Sequence, residues 1–400
     1  MGVSFRVRGF RPLAVSYAIN ELGDNLGVIA LALLVLDRTG SVAATTALFL
    51  IGKFAPALLA PVLTAALDRT AVARSLPLLY AVEGAAFAGL ALLAGSFWLP
   101  GVLALAFLDG LLAITARGLS RAAIATVLTP AGALREGNAV INVLFAVTGV
   151  GGPLLAGLLV HEFGAGTALA ADAVSFVLAA ALLAVSSREL PAPRVDGGHE
   201  SWMSRVRAGL DYLRGHPIAG RLVAGEAIAI VFFTITVPIE VVYVKTSLDS
   251  TSLGFGLLIA SWGAGILLGS AIFARAGTWS IATMVLVSTA AVGGGYVVMA
   301  VAPTLVVACA GSVLGGTGNG VQWVAVMTAL QEAIAEEYQA RVVGLLESIA
   351  AAAPGVGFLL GGILTDLVDA RAAYAVAAGG VAVVCVAWAR RPIVPDRAGV

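Results

Sequence analysis

Charge is scarce in this chain. Asp, Glu, Lys and Arg make up 12% of its 400 residues, where a soluble globular chain carries about 25%. So little charge cannot cover a surface that faces water on all sides, which excludes an ordinary soluble domain. Lysine is reduced to Lys53 and Lys245, and acidic and basic side chains cancel to a net charge of zero. No basic surplus is left to draw in nucleic acid. Cysteine is limited to Cys309 and Cys385, both inside apolar runs. They are read as small packing residues rather than a disulfide or a redox pair. His161, His199 and His216 all fall in segments read as loops. No His, Cys, Asp and Glu set has metal-ligand spacing, and no nucleophile stands beside a base. The expectation is a chain with no metal, no cofactor and no enzymatic activity. "GGTGNG" at 315–320 has no strand before it and no Gly-Lys-Ser/Thr after it, so it is not a phosphate loop. ATP-driven work by this chain alone is not expected.

Apolar residues fill the space that charge leaves. They make up 60% of the chain, in recurring runs long enough to cross a bilayer core as helix. Breaking the chain at charged, Pro-rich and Gly-rich points gives twelve spans. Six lie at 12–36, 42–66, 75–97, 99–120, 138–160 and 166–186. Six more lie at 222–244, 253–274, 278–302, 304–330, 342–365 and 372–389. The expected fold class is all-α integral membrane, with twelve helices in two pseudo-symmetric six-helix halves. The domains are 1–187, a cytoplasmic linker 188–221, 222–391 and a cytoplasmic tail 392–400. The linker opens Pro-rich, and its later part, Trp202 to Leu213, reads as an amphipathic surface helix. The N-terminus is basic and then apolar, but Asn20, Glu21, Asp24 and Asn25 interrupt the apolar part and no small-residue cleavage site follows. It is read as a retained first span.

Arginine placement orients the spans. With the N-terminus in the cytoplasm, eighteen Lys and Arg residues fall inside, three fall outside (Arg38, Lys245 and Arg371), and Lys53 and Arg117 fall within spans. That bias predicts a multi-pass protein of the cell (inner) membrane with both termini and the linker cytoplasmic.

The halves repeat. In "GGPLLAGLL" at 151–159 and "VGFLLGGIL" at 356–364, Gly357, Leu359, Leu360, Gly362 and Leu364 each stand 205 positions beyond a matching residue. Arg69 in "ALDRT" matches Arg275 in "FARAG" at nearly the same offset. Two related six-helix halves joined by a linker form a common transporter plan, with the substrate site near the midplane.

These features resemble the major facilitator superfamily over nearly the whole chain. "GGPLLAGLL" is similar to the fifth-helix motif of its proton-driven exporters, with Gly152, Pro153, Ala156 and Gly157 in place and Thr148 where the first family glycine stands. "TAALDRTAVAR" is similar to the loop signature after span two. There Asp68 and Arg69 match, Thr64 and Ala71 replace two glycines, and Arg74 is displaced. "INELGDNLGVIALALLVLDRTGS", "DAVSF" at 172–176 and "LQEAIAEEYQARVVG" resemble the branch that holds macrolide exporters and the enterobactin exporter. The resemblance implies export by alternating access, with spans one, four, seven and ten lining the cavity, and a gating part for Asp68, Arg69, Gly152, Pro153 and Gly157.

A few polar residues inside spans stand out. Tyr17, Asn20, Glu21 and Asp24 share one helix face. Asp24 lies about 12 residues, roughly 18 Å, into its span. A carboxylate there faces a cavity or a partner and suits proton loading and release. Lys53 on span two is its expected partner, and Asp109 and Arg117 share a face of span four. Coupling and a structural ion pair are both open for this set. Glu83 reads as peripheral and structural, and Glu226 and Glu347 as solvated helix ends. Gly152 and Ala156, like Gly357 and Gly361, are spaced for close helix packing, and Pro153 opens the backbone ladder. Packing and a bend between the halves both fit.

The resulting expectation is a monomeric secondary transporter exporting small amphipathic molecules, a drug or natural product, in exchange for protons. Its partners are the substrate, protons and the lipid bilayer. A siderophore or lysolipid exporter, and a non-transporting sensor or scaffold, are the alternatives.

Overall fold

Away from water every backbone N–H and C=O needs an internal partner, and an α-helix provides one within a single segment. The computed structural model describes residues 4–67, 70–190, 202–276, 279–334 and 336–390, and among these every long element is a helix. They are α1 Phe10–Thr39, α2 Val42–Thr64, α3 Val72–Gly95, α4 Leu99–Leu128, α5 Leu134–Phe163 and α6 Ala165–Val185. There follow α7 Trp202–Gly215, α8 Pro217–Ser247, α9 Ser252–Arg275, α10 Ile281–Val301, α11 Leu305–Ala333, α12 Glu336–Leu367 and α13 Ala370–Arg390. The fold is all-α and the chain is a multi-pass membrane protein. Eleven helices among the described residues are long and apolar enough to cross a membrane. The remaining expected span, α11, has 29 residues. It is long enough, but the glycines of "GGTGNG" together with Asn319 and Gln322 dilute its apolar character.

The expected spans recur within a few residues, with one sizeable difference. α4 continues to Leu128, where the expected span stops at 120. Arg121 marked that end because charge leaves the bilayer, yet helix hydrogen bonding continues past it. α7 coincides with the expected amphipathic segment. His161, expected in a loop, lies in the last turn of α5. Asp68, Arg69, His199 and the Pro-rich start of the linker lie outside the described residues.

The chain divides into two compact units. The first holds Met1–Asp196 with Ser250–Ala260, and the second Gly197–Asp249 with Ser261–Val400. In the first, α1 packs against α4, α5 and α6, and α3 packs against α6. In the second, α8 packs against α11, α12 and α13, and α10 packs against α13. The same pairings therefore recur in matching helices. The repeated glycines lie at matching contacts. A methyl group placed on Gly152 would stand 3.2 Å from the Leu22 carbonyl oxygen of α1, and one on Gly357 2.5 Å from the Val231 carbonyl oxygen of α8. Pro153 and Pro354 both sit inside helices that run on without interruption.

Candidate functional site

The polar face of α1 is the base of the site. Tyr17, Asn20, Glu21 and Asp24 are all buried, and Asp24 lies midway along the 30 residues of the helix. Gly23 and Gly27, four apart on the same helix, leave room for α6 and α3 to close over it. A methyl group on Gly23 would stand 3.0 Å from the Phe176 ring, and one on Gly27 would stand 2.9 Å from Asp172 Oδ2 and 2.5 Å from the Phe87 ring. Phe87 and Phe176 stack with centroids 5.4 Å apart. Their contact ties α3 to α6, and the Asp172 carboxylate lies against Gly23 and Gly27 of α1.

Arg117 reaches the face from α4. Its Nε donates to Glu21 Oε1 at 2.5 Å and its Nη2 to Asp24 Oδ2 at 3.0 Å, so one guanidinium bridges two carboxylates. Asn20 Nδ2 also donates to Asp24 Oδ2, at 3.1 Å. One turn along α4, Arg121 donates to the Tyr17 hydroxyl at 2.9 Å, with its charge 5.6 Å from the ring centre. Glu21 and Asp24 are almost fully buried, while the Arg117 side chain keeps 35% exposure. A planar fork of five donors suits this double engagement better than an ammonium would.

The expected partner of Asp24 was Lys53, and Arg117 occupies that place instead. Lys53 sits in a π-helical turn, Leu50–Phe54, inside α2. Among the described residues it makes no ion pair, and its charge acts on Asp109. The reason lies in the backbone. The neighbouring Gly52 lies against α4, where a methyl group would stand 3.3 Å from Ala106 Cβ. The close approach of α2 and α4 there puts the Lys53 charge within range of Asp109 on α4.

Two carboxylates differ from their expected places. Glu83, read as peripheral, is fully buried, and neither of its carboxylate oxygens has a hydrogen-bond partner. Its neighbour Gly84 packs on the Ala173 carbonyl of α6, 3.2 Å from where a methyl group would stand, which brings Glu83 inward. Glu226, read as a solvated helix end, is 1% exposed and accepts a hydrogen bond from Gln322 Nε2. Glu347 is exposed. Asp172, inside "DAVSF", is a further buried acid, and a lone acid on its helix carries no periodic signal in the sequence.

Glu21 and Arg117 are 96 residues apart, and so are Glu226 and Gln322. Each member of the second pair stands 205 positions beyond its counterpart, the offset read from the glycines. The duplication therefore keeps one polar link between matching helices, α1 with α4 and α8 with α11. It is ionic in the first unit and amide-to-acid in the second. Applying the offset to Glu21 and Arg117 would have found the second pair from sequence.

The sequence pattern of the Major Facilitator Superfamily matches residues 13–349 and, a second time, 222–399. The chain belongs to the major facilitator superfamily. Its relatives are transporters. The multidrug efflux pump Tap of Mycobacterium tuberculosis (strain ATCC 25618 / H37Rv) is 28% identical over 383 residues, covering 88% of this chain and 86% of the pump. Among solved structures, the nucleoside transporter NupG superposes with a TM-score of 0.74 at 14% identity, covering 98% of this chain and 99% of that one. A POT family transporter in complex with a thioalcohol-conjugated peptide gives 0.75 at 12%, covering 95% of each chain. At such identities the two structures are evidence of the shared fold alone. Within the superfamily fold, the pair on α1 and α4 and the small-residue face of α5 belong to a transporter.

Proposed function

We propose that this protein exports small amphipathic molecules across the cell (inner) membrane by proton antiport and alternating access, with both termini cytoplasmic. The observation that carries the reading is the Arg117 bridge to Glu21 and Asp24 midway along α1. Burying the Glu21 and Asp24 charges in a membrane protein is costly, and such groups commonly mark ion or substrate paths. Glu21 Oε2 and Asp24 Oδ1 are buried with no donor. A proton arriving on either acid would weaken its hold on Arg117 and free the guanidinium to move. Asp24 is the proposed proton carrier, Glu21 and Arg117 its switchable partners, and Asp109 and Lys53 the neighbouring polar lining. Gly152, Pro153 and Gly157, with the loop residues Asp68 and Arg69, are the proposed gating set. The efflux activity named for Tap supports a drug or natural-product substrate.

Uptake into everted vesicles, which is the export direction of the cell, under an imposed pH gradient and with a panel of amphipathic cations and macrolides, tests the reading. Asp24→Asn is expected to abolish gradient-driven export while keeping substrate exchange without a gradient, because the neutral amide mimics the protonated acid. Gradient-driven export by Asp24→Asn at the wild-type rate would remove Asp24 from the coupling role. A panel from which nothing is moved would favour the sensor or scaffold reading.

The orientation is tested separately. In a background without Cys309 and Cys385, Gly198→Cys is expected to resist an impermeant thiol reagent applied to intact cells and to react once the membrane is opened. Labelling from outside would invert the topology.

A further inference from the structure

We propose that Asp24, Glu83 and Asp109 form a binding site for one divalent, oxygen-preferring cation of calcium size within the first unit. One carboxylate oxygen from each of the three lies within 4.8 Å of the other two. The three come from α1, α3 and α4, so the site exists only where those helices pack together.

Three acids in one place are by themselves only a repulsion. What points to a ligand is Glu83, which is 0% exposed with both carboxylate oxygens free of any hydrogen bond. Asp24 Oδ1 and Asp109 Oδ1 are likewise buried and unpartnered. A carboxylate removed from water takes a donor, a cation or a proton, and Glu83 has no donor on either oxygen while Asp24 has donors only on Oδ2. Asp172 stands beside them with its Oδ2 also unpartnered, while its Oδ1 accepts from Ser175 Oγ at 3.1 Å.

Coordination preference and donor type select the ion. Calcium takes many protein oxygens in a flexible geometry, whereas magnesium keeps several waters and usually takes one or two carboxylates, so three buried carboxylates favour calcium. The donors are all carboxylate oxygens, a set suited to hard cations rather than zinc or copper. Sodium is the competitor of similar size, but a double charge offsets three carboxylates better. The charged groups around the trio are Glu21 and Arg117 on the Asp24 side, Lys53 on the Asp109 side, and Asp172 beside Glu83. The Tyr80 hydroxyl lies on α3 and is engaged by Ser120 Oγ at 3.2 Å. Arg117 holds the other oxygen of Asp24, so a cation on Oδ1 would draw the carboxylate between two partners. Occupancy would thereby report on the ion pair of the coupling reading. The cation site itself does not depend on which molecule is exported.

Calorimetry on the full-length protein in detergent, with calcium, magnesium and sodium chlorides in mildly alkaline buffer, tests the site. One calcium ion per chain is expected to bind, with saturation by about 1 mM and magnesium roughly tenfold weaker. Binding should release protons, read with a pH dye, because ligands must be ionised to coordinate. It should persist in excess sodium. Glu83→Gln and Asp109→Asn should each weaken calcium by at least roughly tenfold, while Glu226→Gln in the second unit should bind as wild type does. Should Glu83→Gln fail to fold, Asp109→Asn and the wild-type titration decide the matter. Absence of calcium binding by wild type, tighter binding of sodium, or undiminished binding in both variants would each overturn the site. Proton uptake on acidification with no cation binding would show a proton-sharing cluster instead. The measurement uses wild-type protein without a transport step, so its failure leaves the Asp24→Asn transport result standing, and the reverse also holds.

Discussion

Arg117→Met is expected to lower the yield of folded protein sharply and to abolish export. Removing the guanidinium leaves Glu21 and Asp24 buried side by side with no cation, where one takes its Nε at 2.5 Å and the other its Nη2 at 3.0 Å. Breaking a buried pair by deleting one partner costs about 3–5 kcal/mol. The 35% exposure of the Arg117 side chain places the loss at the lower end of that range. Arg117→Lys should recover only part, because an ammonium cannot span both carboxylates as the fork does. Adding Glu21→Gln and Asp24→Asn to Arg117→Met removes the stranded charges. Folded protein should then return, and gradient-driven export should not. Yield and thermal midpoint in detergent, read beside vesicle export, separate the two effects. A folded, fully stable Arg117→Met protein would mean that the bridge is solvated and carries no strain. Gradient-driven export by the triple variant would mean that the bridge is structural only.

Gly157→Leu is expected to leave the protein in the membrane but stop export. Gly157 on α5 meets α9 backbone to backbone, and a methyl group there would stand 2.8 Å from the Ser252 carbonyl oxygen and 3.0 Å from Gly256 Cα. Backbone atoms cannot swing aside as a flexible side chain can. A leucine must therefore part the helices, at a cost of about 1–3 kcal/mol or more. Gly256 faces the Pro153 carbonyl from the other side, so the crossing has glycine on both helices. Gly151→Leu is the control, since nothing lies within 4 Å of a methyl group at Gly151. It should export normally. Normal export by Gly157→Leu would show that the crossing tolerates separation and has no part in the transport cycle.

The class of the protein and the order of its helices were legible because the bilayer imposes local rules. A span must be about 20 apolar residues long, and its charges must sit at its ends. Both are properties of neighbouring residues. The internal repeat was legible at the glycines because close packing admits few substitutes there. Membership of the superfamily could be read from Gly152, Pro153, Ala156 and Gly157 in order along one helix. The polar face of α1 could be read too, since residues three and four apart share a face on any helix.

Tertiary packing decided the partners. Lys53 and Arg117 were both cations within spans, and nothing local says which meets Asp24. The choice follows from where Gly52 lets α2 approach α4, and from the place on α4 that puts Arg117 opposite Glu21. Glu83 looked peripheral because a lone acid on a third helix carries no periodic signal. Gly84 against Ala173 turned it inward. The same cause hid the acidic trio. Metal-ligand spacing in a sequence detects ligands on one element, whereas Asp24, Glu83 and Asp109 come from three helices. Their distances along the chain say nothing about their distances in space. The sequence by itself determined that polar groups would be buried in this membrane protein. Only the packing of α1, α3, α4 and α6 decided which were paired and which were left without a partner, because side-chain contacts between helices depend on crossing and rotation, which local periodicity does not specify.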